Sequence, residues 1–147
     1  MKVAIGADHA GFPLKEKIVD AIRAAGHQVV DCGATELIPG DDYPDYAEGV
    51  AQAIRGGQAE RGVLICGSGV GASVAANKFN GIRAALCHDT FSAHQGVEDD
   101  SMNILCLGAR VVGPSLAEEL VIAFLRARFS NAERHARRLA KVISFES

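Results

Sequence analysis

The sequence predicts an α/β protein, a three-layer α/β/α domain on a mostly parallel five-stranded sheet with a C-terminal helix. Two observations carry this. Five short apolar runs rich in β-branched residues recur along the 147-residue chain, and unbroken apolarity suits strands covered on both faces. Between them lie segments whose apolar residues repeat at helical spacing, so strand and helix alternate five times. A chain of this length fits one domain, residues 1–147, and can bury a substantial core.

The first strand is expected at "KVAIGA" (2–7). It leads into the helical "PLKEKIVDAIRAAG", where Leu14, Ile18 and Ile22 share one side, Pro13 suits the first turn and Gly26 the C-terminal cap. "HQVVDCG" (27–33) and "YAEGVAQAIRGG" form the second strand and helix, and "GVLICG" (62–67) and "GASVAANKF" the third. "IRAALC" (82–87) precedes the helical "TFSAHQGVEDD". "MNILCLG" (102–108) precedes "SLAEELVIAFLRARF", where Leu116, Leu120, Ala123 and Phe124 repeat the pattern. A last amphipathic helix, "NAERHARRLAKVISFE", has no strand after it and packs on the domain or on another subunit.

Composition narrows the function. Net charge is −3 with no long basic run, which argues against nucleic acid or an anionic membrane as partner. No apolar stretch is long enough to span a bilayer, and the N-terminus lacks a signal-peptide pattern. The four cysteines, Cys32, Cys66, Cys87 and Cys106, form no CxxC pair, so a tetrahedral zinc site is not expected. A cytoplasmic protein with reduced thiols is the simplest expectation.

In a parallel α/β sheet, function collects where strands end and helices begin. That rule selects Asp8-His9, Cys66 to Gly71, His88-Asp89 and Gly108-Ala109-Arg110. Gly67, Gly69 and Ala72 match G-x-G-x-x-A, with Asp89 near the spacing of a dinucleotide's acidic partner. The loop follows the third strand instead of the first, which speaks against a nicotinamide or flavin site. Two readings of it stay open: a tight turn, or N–H groups arranged as an anion hole. Cys66 is then either a small core residue or a thiol whose thiolate those groups favour. Asp8 caps the next helix or faces a ligand. Arg134 and Arg138, one helical turn apart, form a solvated basic face or a phosphate clamp.

Together, "GADHAGFPLK", "DYPDYA", "GVLICGSGVGASVAANKFNGIRAA", "NILCLGARVVG" and "ERHARRL" resemble the ribose-5-phosphate isomerase type B family, which also holds the galactose-6-phosphate isomerase subunits. The resemblance covers essentially the full chain. It implies a Rossmann-like fold, an aldose–ketose isomerase needing neither metal nor cofactor, and a homodimer with shared sites, a tetramer being left open. It implies Cys66 as the base, with Gly67, Ser68, Gly69, Val70 and Gly71 holding the enediolate oxygen; Ser68 stands where the family often has threonine. It implies that Asp8 and His9 bind sugar hydroxyls and phosphate. Arg110, Arg134 and Arg138 match the arginines that bind substrate, the last two only after a one-residue insertion in "FSNAERH".

One departure matters. Asp99 and Asp100, within "GVEDDSMN", stand where the commoner pattern has a His-Asn pair that helps open the furanose ring. A carboxylate can act there if its proton affinity is raised, as adjacent Glu98, Asp99 and Asp100 would favour; His94 is the other candidate. A four-carbon sugar 4-phosphate needs no such residue, because its terminal oxygen is esterified and no furanose closes. Ribose 5-phosphate and ribulose 5-phosphate are therefore expected first. A tetrose 4-phosphate, a hexose 6-phosphate or a non-catalytic phosphosugar-binding role is the alternative.

Overall fold

Runs that are apolar at every position need neighbours on both faces, and the fold supplies them. The structure, a computed structural model, describes Met1–Ser147 throughout. Strands β1 (Lys2–Ala7), β2 (Gln28–Asp31), β3 (Arg61–Cys66), β4 (Ala84–Leu86) and β5 (Ile104–Gly108) pair in the order β2-β1-β3-β5-β4. Every pair is parallel, so the sheet expected to be mostly parallel is wholly so. The three central strands are buried along nearly their whole length.

The helices are α1 (Phe12–Ala24), α2 (Tyr43–Arg55), α3 (Val70–Ala76), α4 (Thr90–Asp100), α5 (Pro114–Arg126) and α6 (Glu133–Ile143). Successive strand side chains face opposite ways, so one sheet feeds two cores. Val3, Ile5, Val63, Ile65, Leu105 and Leu107 pack with Ile18, Val97 and Phe124 of α1, α4 and α5. Ala4, Leu64, Cys66, Ile104 and Cys106 pack with Val50, Ala51, Ala72 and Ala76 of α2 and α3. Helix α6 lies outside both cores, packs on α4 and buries only His135.

Two details differ from the sequence expectation. The buried stripe of α5 is Ala117, Leu120, Val121, Phe124 and Leu125, while Leu116 is 37% exposed and Ala123 lies at the margin. This helix is apolar almost all round, so periodicity alone does not say which stripe meets the sheet. On α1, Leu14, Ile18 and Ile22 are buried as expected, and so is Lys15. Its Nζ donates to Asp31 Oδ1 and to the Ala34 carbonyl, both at 2.6 Å, which compensates the buried charge and ties α1 to the chain after β2.

Topology decides where a ligand can sit. From β1 the chain steps to β2 on one side, then crosses to β3 on the other. The carboxyl ends of β1 and β3 therefore border the crevice where connections diverge, the usual ligand site of open parallel sheets. Ala7 pairs with Ile65 in register, so Asp8 and Cys66 flank that crevice.

Candidate active site

Cys66 is the last residue of β3, and its side chain lies on the α2/α3 face, 5% exposed. The chain then turns through Gly67-Ser68-Gly69 into α3. Gly69 makes the turn possible: its φ is +83°, and a Cβ there would lie 2.6 Å from Leu86 Cδ1 and 2.9 Å from the Leu107 carbonyl carbon. Its N–H donates to Cys66 Sγ at 3.2 Å. The Val70 N–H is taken by Ser68 Oγ at 3.3 Å. Gly67, Ser68 and Gly71 have no acceptor for their N–H groups within the chain. Three free donors beside a thiol are what an oxyanion needs.

The segment after β5 locks this turn. Ala109 N–H donates to the Cys66 carbonyl at 2.8 Å and Arg110 N–H to the Gly67 carbonyl at 3.0 Å. His88 Nε2 accepts the Gly108 N–H at 3.0 Å, so its proton sits on Nδ1. Across the crevice, Asp8 is buried and its Oδ1 accepts the N–H groups of Ala10 and Gly11, both at 3.0 Å, closing the turn into α1. A cleft of about 340 Å³ opens here, lined by Asp8, His9, Tyr43, Cys66, Ser68 and Arg110 among others. Its size suits a small phosphorylated sugar.

A sequence model of the ribose/galactose isomerase family matches residues 3–142. The chain belongs to that family. Ribose-5-phosphate isomerase B of Escherichia coli is 44% identical over 145 residues, covering 99% of this chain and 96% of the relative. D-erythrulose-4-phosphate isomerase of Pectobacterium atrosepticum is 44% identical over 129 residues, 88% of this chain and 85% of the relative. Among solved structures, the Trypanosoma brucei type B ribose 5-phosphate isomerase superposes with a TM-score of 0.93 at 46% identity, 97% of each chain being covered. The protein is a sugar-phosphate isomerase of this ribose/galactose isomerase family.

In this isomerase, the residues expected at the site fall into two groups. Asp8, His9, Gly67, Ser68, Gly71 and Arg110 line the cleft with Cys66. Gly69 and Val70 stand behind it, since their N–H groups serve Cys66 and Ser68. Asp99 and Asp100 do not line the cleft of their own chain. Helix α4 starts at the carboxyl edge after β4 and ends at the opposite edge before β5, which carries both carboxylates away. Asp99 is held there through Oδ2, which accepts from Gln95 Nε2 at 2.6 Å, while Oδ1 lies 3.4 Å from His135 Nε2. Asp100 instead borders a larger groove of about 750 Å³ beside β4, with Phe79, Met102 and Phe145. His94 is paired with Glu98 at 3.1 Å.

Arg134 and Arg138 are on α6, seated on the end of α4 through His135; both are exposed and make no ion pair or side-chain hydrogen bond. Asp89 is the cap of α4, its Oδ1 accepting the Ser92 N–H at 2.6 Å. Sequence reasoning missed Tyr43, whose ring covers Gly71: a Cβ on Gly71 would lie 2.6 Å from the ring. It also missed Asp41 and Tyr46. "DDYPDYA" is the signal that could have found all three. Asp8, His9 and Asp41 bring ligand atoms within 4.8 Å of one another, close enough to hold a metal ion.

The thiols are not equivalent. Burial pushes Cys32 up, Cys87 up to about 11 and Cys106 up further still. Cys66 alone of the four lines the cleft. Iodoacetamide at mildly alkaline pH is therefore expected to label Cys66 first, with sugar phosphate protecting it. Peptide mass mapping reads the order, and early labelling of Cys106 would contradict it.

Proposed function

We propose that this isomerase interconverts ribose 5-phosphate and ribulose 5-phosphate, with Cys66 moving the proton. The observation that carries the proposal is the Cys66 thiol standing beside three unpaired N–H groups in a cleft that also holds Asp8, His9 and Arg110. In the open-chain aldose, the Cys66 thiolate removes the proton from C2 and the C1 carbonyl oxygen becomes an enediolate oxygen. The N–H groups of Gly67, Ser68 and Gly71 hold that charge, the largest contribution expected in such a step. Cys66 then protonates C1 as the C2 hydroxyl proton passes to the C1 oxygen, leaving the C2 carbonyl of the ketose and the thiolate restored. Asp8 and His9 bind the sugar, and Arg110 its phosphate.

The site is proposed to be completed by a second copy. The cleft lies at the carboxyl edge, whereas Asp99, Asp100, Arg134 and Arg138 lie at the other, so one chain cannot bring them together. Val70 and Val74 on α3, and Val142, Ile143 and Phe145 at the C-terminus, expose apolar surface that a partner would cover. No helix is long and apolar enough to cross a membrane, and four free cysteines fit the reducing cytoplasm.

One observation favours a second reading, a tetrose 4-phosphate substrate. Asp99, at the position of the ring-opening group, has Oδ2 taken by Gln95 and Oδ1 turned toward His135 at 3.4 Å, and an open-chain substrate needs no such group. A kcat/KM panel of four-, five- and six-carbon aldose phosphates decides between them. Ribose 5-phosphate is expected to lead, and Asp99→Asn to lower its kcat/KM by about 100-fold while sparing the tetrose phosphate. Equal losses would make Asp99 a strut beneath α6. Binding without turnover across the panel would overturn the isomerisation proposed here.

A further inference from the structure

Asp41 lies on the loop between β2 and α2, and three donors converge on its carboxylate, whose side chain is 8% exposed. Oδ1 accepts the His9 backbone N–H and faces His9 Nδ1, both at 2.8 Å. Oδ2 accepts the Tyr46 hydroxyl at 2.8 Å. Burial alone would push this carboxyl up, but the hydrogen bonds from His9 and Tyr46 outweigh it and hold Asp41 below the usual carboxylate range. The same contact pushes Tyr46 up to about 12. Oδ1 already accepts the His9 backbone N–H and Oδ2 the Tyr46 hydroxyl, so the Nδ1 that faces Oδ1 is the donor and carries a proton. The other ring nitrogen, Nε2, is left on the side away from Asp41, and His9 lines the cleft beside Cys66, Ser68 and Arg110.

We propose that Asp41 is a positioning residue, which holds His9 in its Nδ1–H tautomer and turns Nε2 toward the sugar phosphate. A carboxylate behind an imidazole fixes tautomer and ring orientation at once, leaving the free nitrogen aimed at the ligand. Tyr46, on α2, fixes Asp41 in turn, so the device runs from a helix through a loop to the end of β1. Its catalytic consequence rests on the cleft being the isomerase site; its effect on His9 does not.

Two measurements separate positioning from loop stability. Long-range proton–nitrogen correlation spectra at neutral pH, with His9 assigned from a His9→Ala variant, read the tautomer directly and without substrate. The native protein is expected to show Nδ1–H. In Asp41→Ala nothing accepts from Nδ1, so the proton is expected to move to Nε2, the tautomer that a free imidazole favours. Steady-state kinetics on the best substrate of the panel are expected to show kcat/KM lower by about tenfold or more. In a His9→Ala background, Asp41→Ala is expected to cost less than about twofold more, because a residue acting through His9 has nothing left to position. An unchanged tautomer, or losses that add in full, would overturn the proposal. If the native protein turned over no sugar phosphate, the isomerase function would fall, and the tautomer would still decide whether Asp41 controls His9.

Discussion

Cys66→Ala is expected to lower kcat for isomerisation by about 100- to 10,000-fold with KM nearly unchanged, the range set by loss of a general base. The thiol is the proposed proton-moving group in the cleft, and Asp8, the nearby carboxylate, spends its Oδ1 on the turn into α1. The free N–H groups of Gly67, Ser68 and Gly71 stay in place because the Ala109 and Arg110 N–H groups hold the turn by its carbonyls. Removing one sulfur from the α2/α3 core costs on the order of 1 kcal/mol, too little to unfold the chain. Cys66→Ser keeps an acceptor for the Gly69 N–H but offers no comparable anion, so it is expected to be nearly as inactive. Steady-state kinetics and a melting curve check both. Full activity in Cys66→Ala would remove it as the base.

Gly69→Ala is expected to cost both stability and turnover. An alanine at φ +83° is disfavoured by about 1–2 kcal/mol. The added methyl also meets Leu86 Cδ1 and the Leu107 backbone, so the turn must shift, at about 1–3 kcal/mol more. A total near 3 kcal/mol lowers Tm by about 10 °C in a chain of this size. The shift moves the N–H that contacts Cys66 Sγ, so kcat falls even in molecules that remain folded. Calorimetry alongside kinetics reads the two effects separately. A native Tm would mean that the turn accommodates the methyl elsewhere.

Much of this was legible in the residues. The strands of "KVAIGA", "GVLICG" and "MNILCLG" announce themselves because burial on both faces leaves no polar position. Leu14, Ile18 and Ile22 identify the inner side of α1 because the outer side is charged. The same logic fails on α5, where apolar residues surround the helix and Leu116 proves exposed. It fails again at Lys15, whose burial depends on Asp31 and the Ala34 carbonyl, partners with no local signature. Cys66, the glycine turn, Asp8 and Arg110 could be named from the rule that strand ends carry function. Asp41 could not, because its value lies in contacts with His9, 32 residues away, and with Tyr46.

The sequence by itself determined the layers, the elements and the motifs that belong to the isomerase family, since these follow from periodicity and local residue type. Strand order was decided only by tertiary structure, and with it the crevice between β1 and β3 that sets Asp8 beside Cys66. Tertiary structure also sent Asp99 and Asp100 to the far edge, because a helix returning to start the next parallel strand must carry its end there. Which groups share a site depends on pairings between distant segments, and no local pattern encodes those.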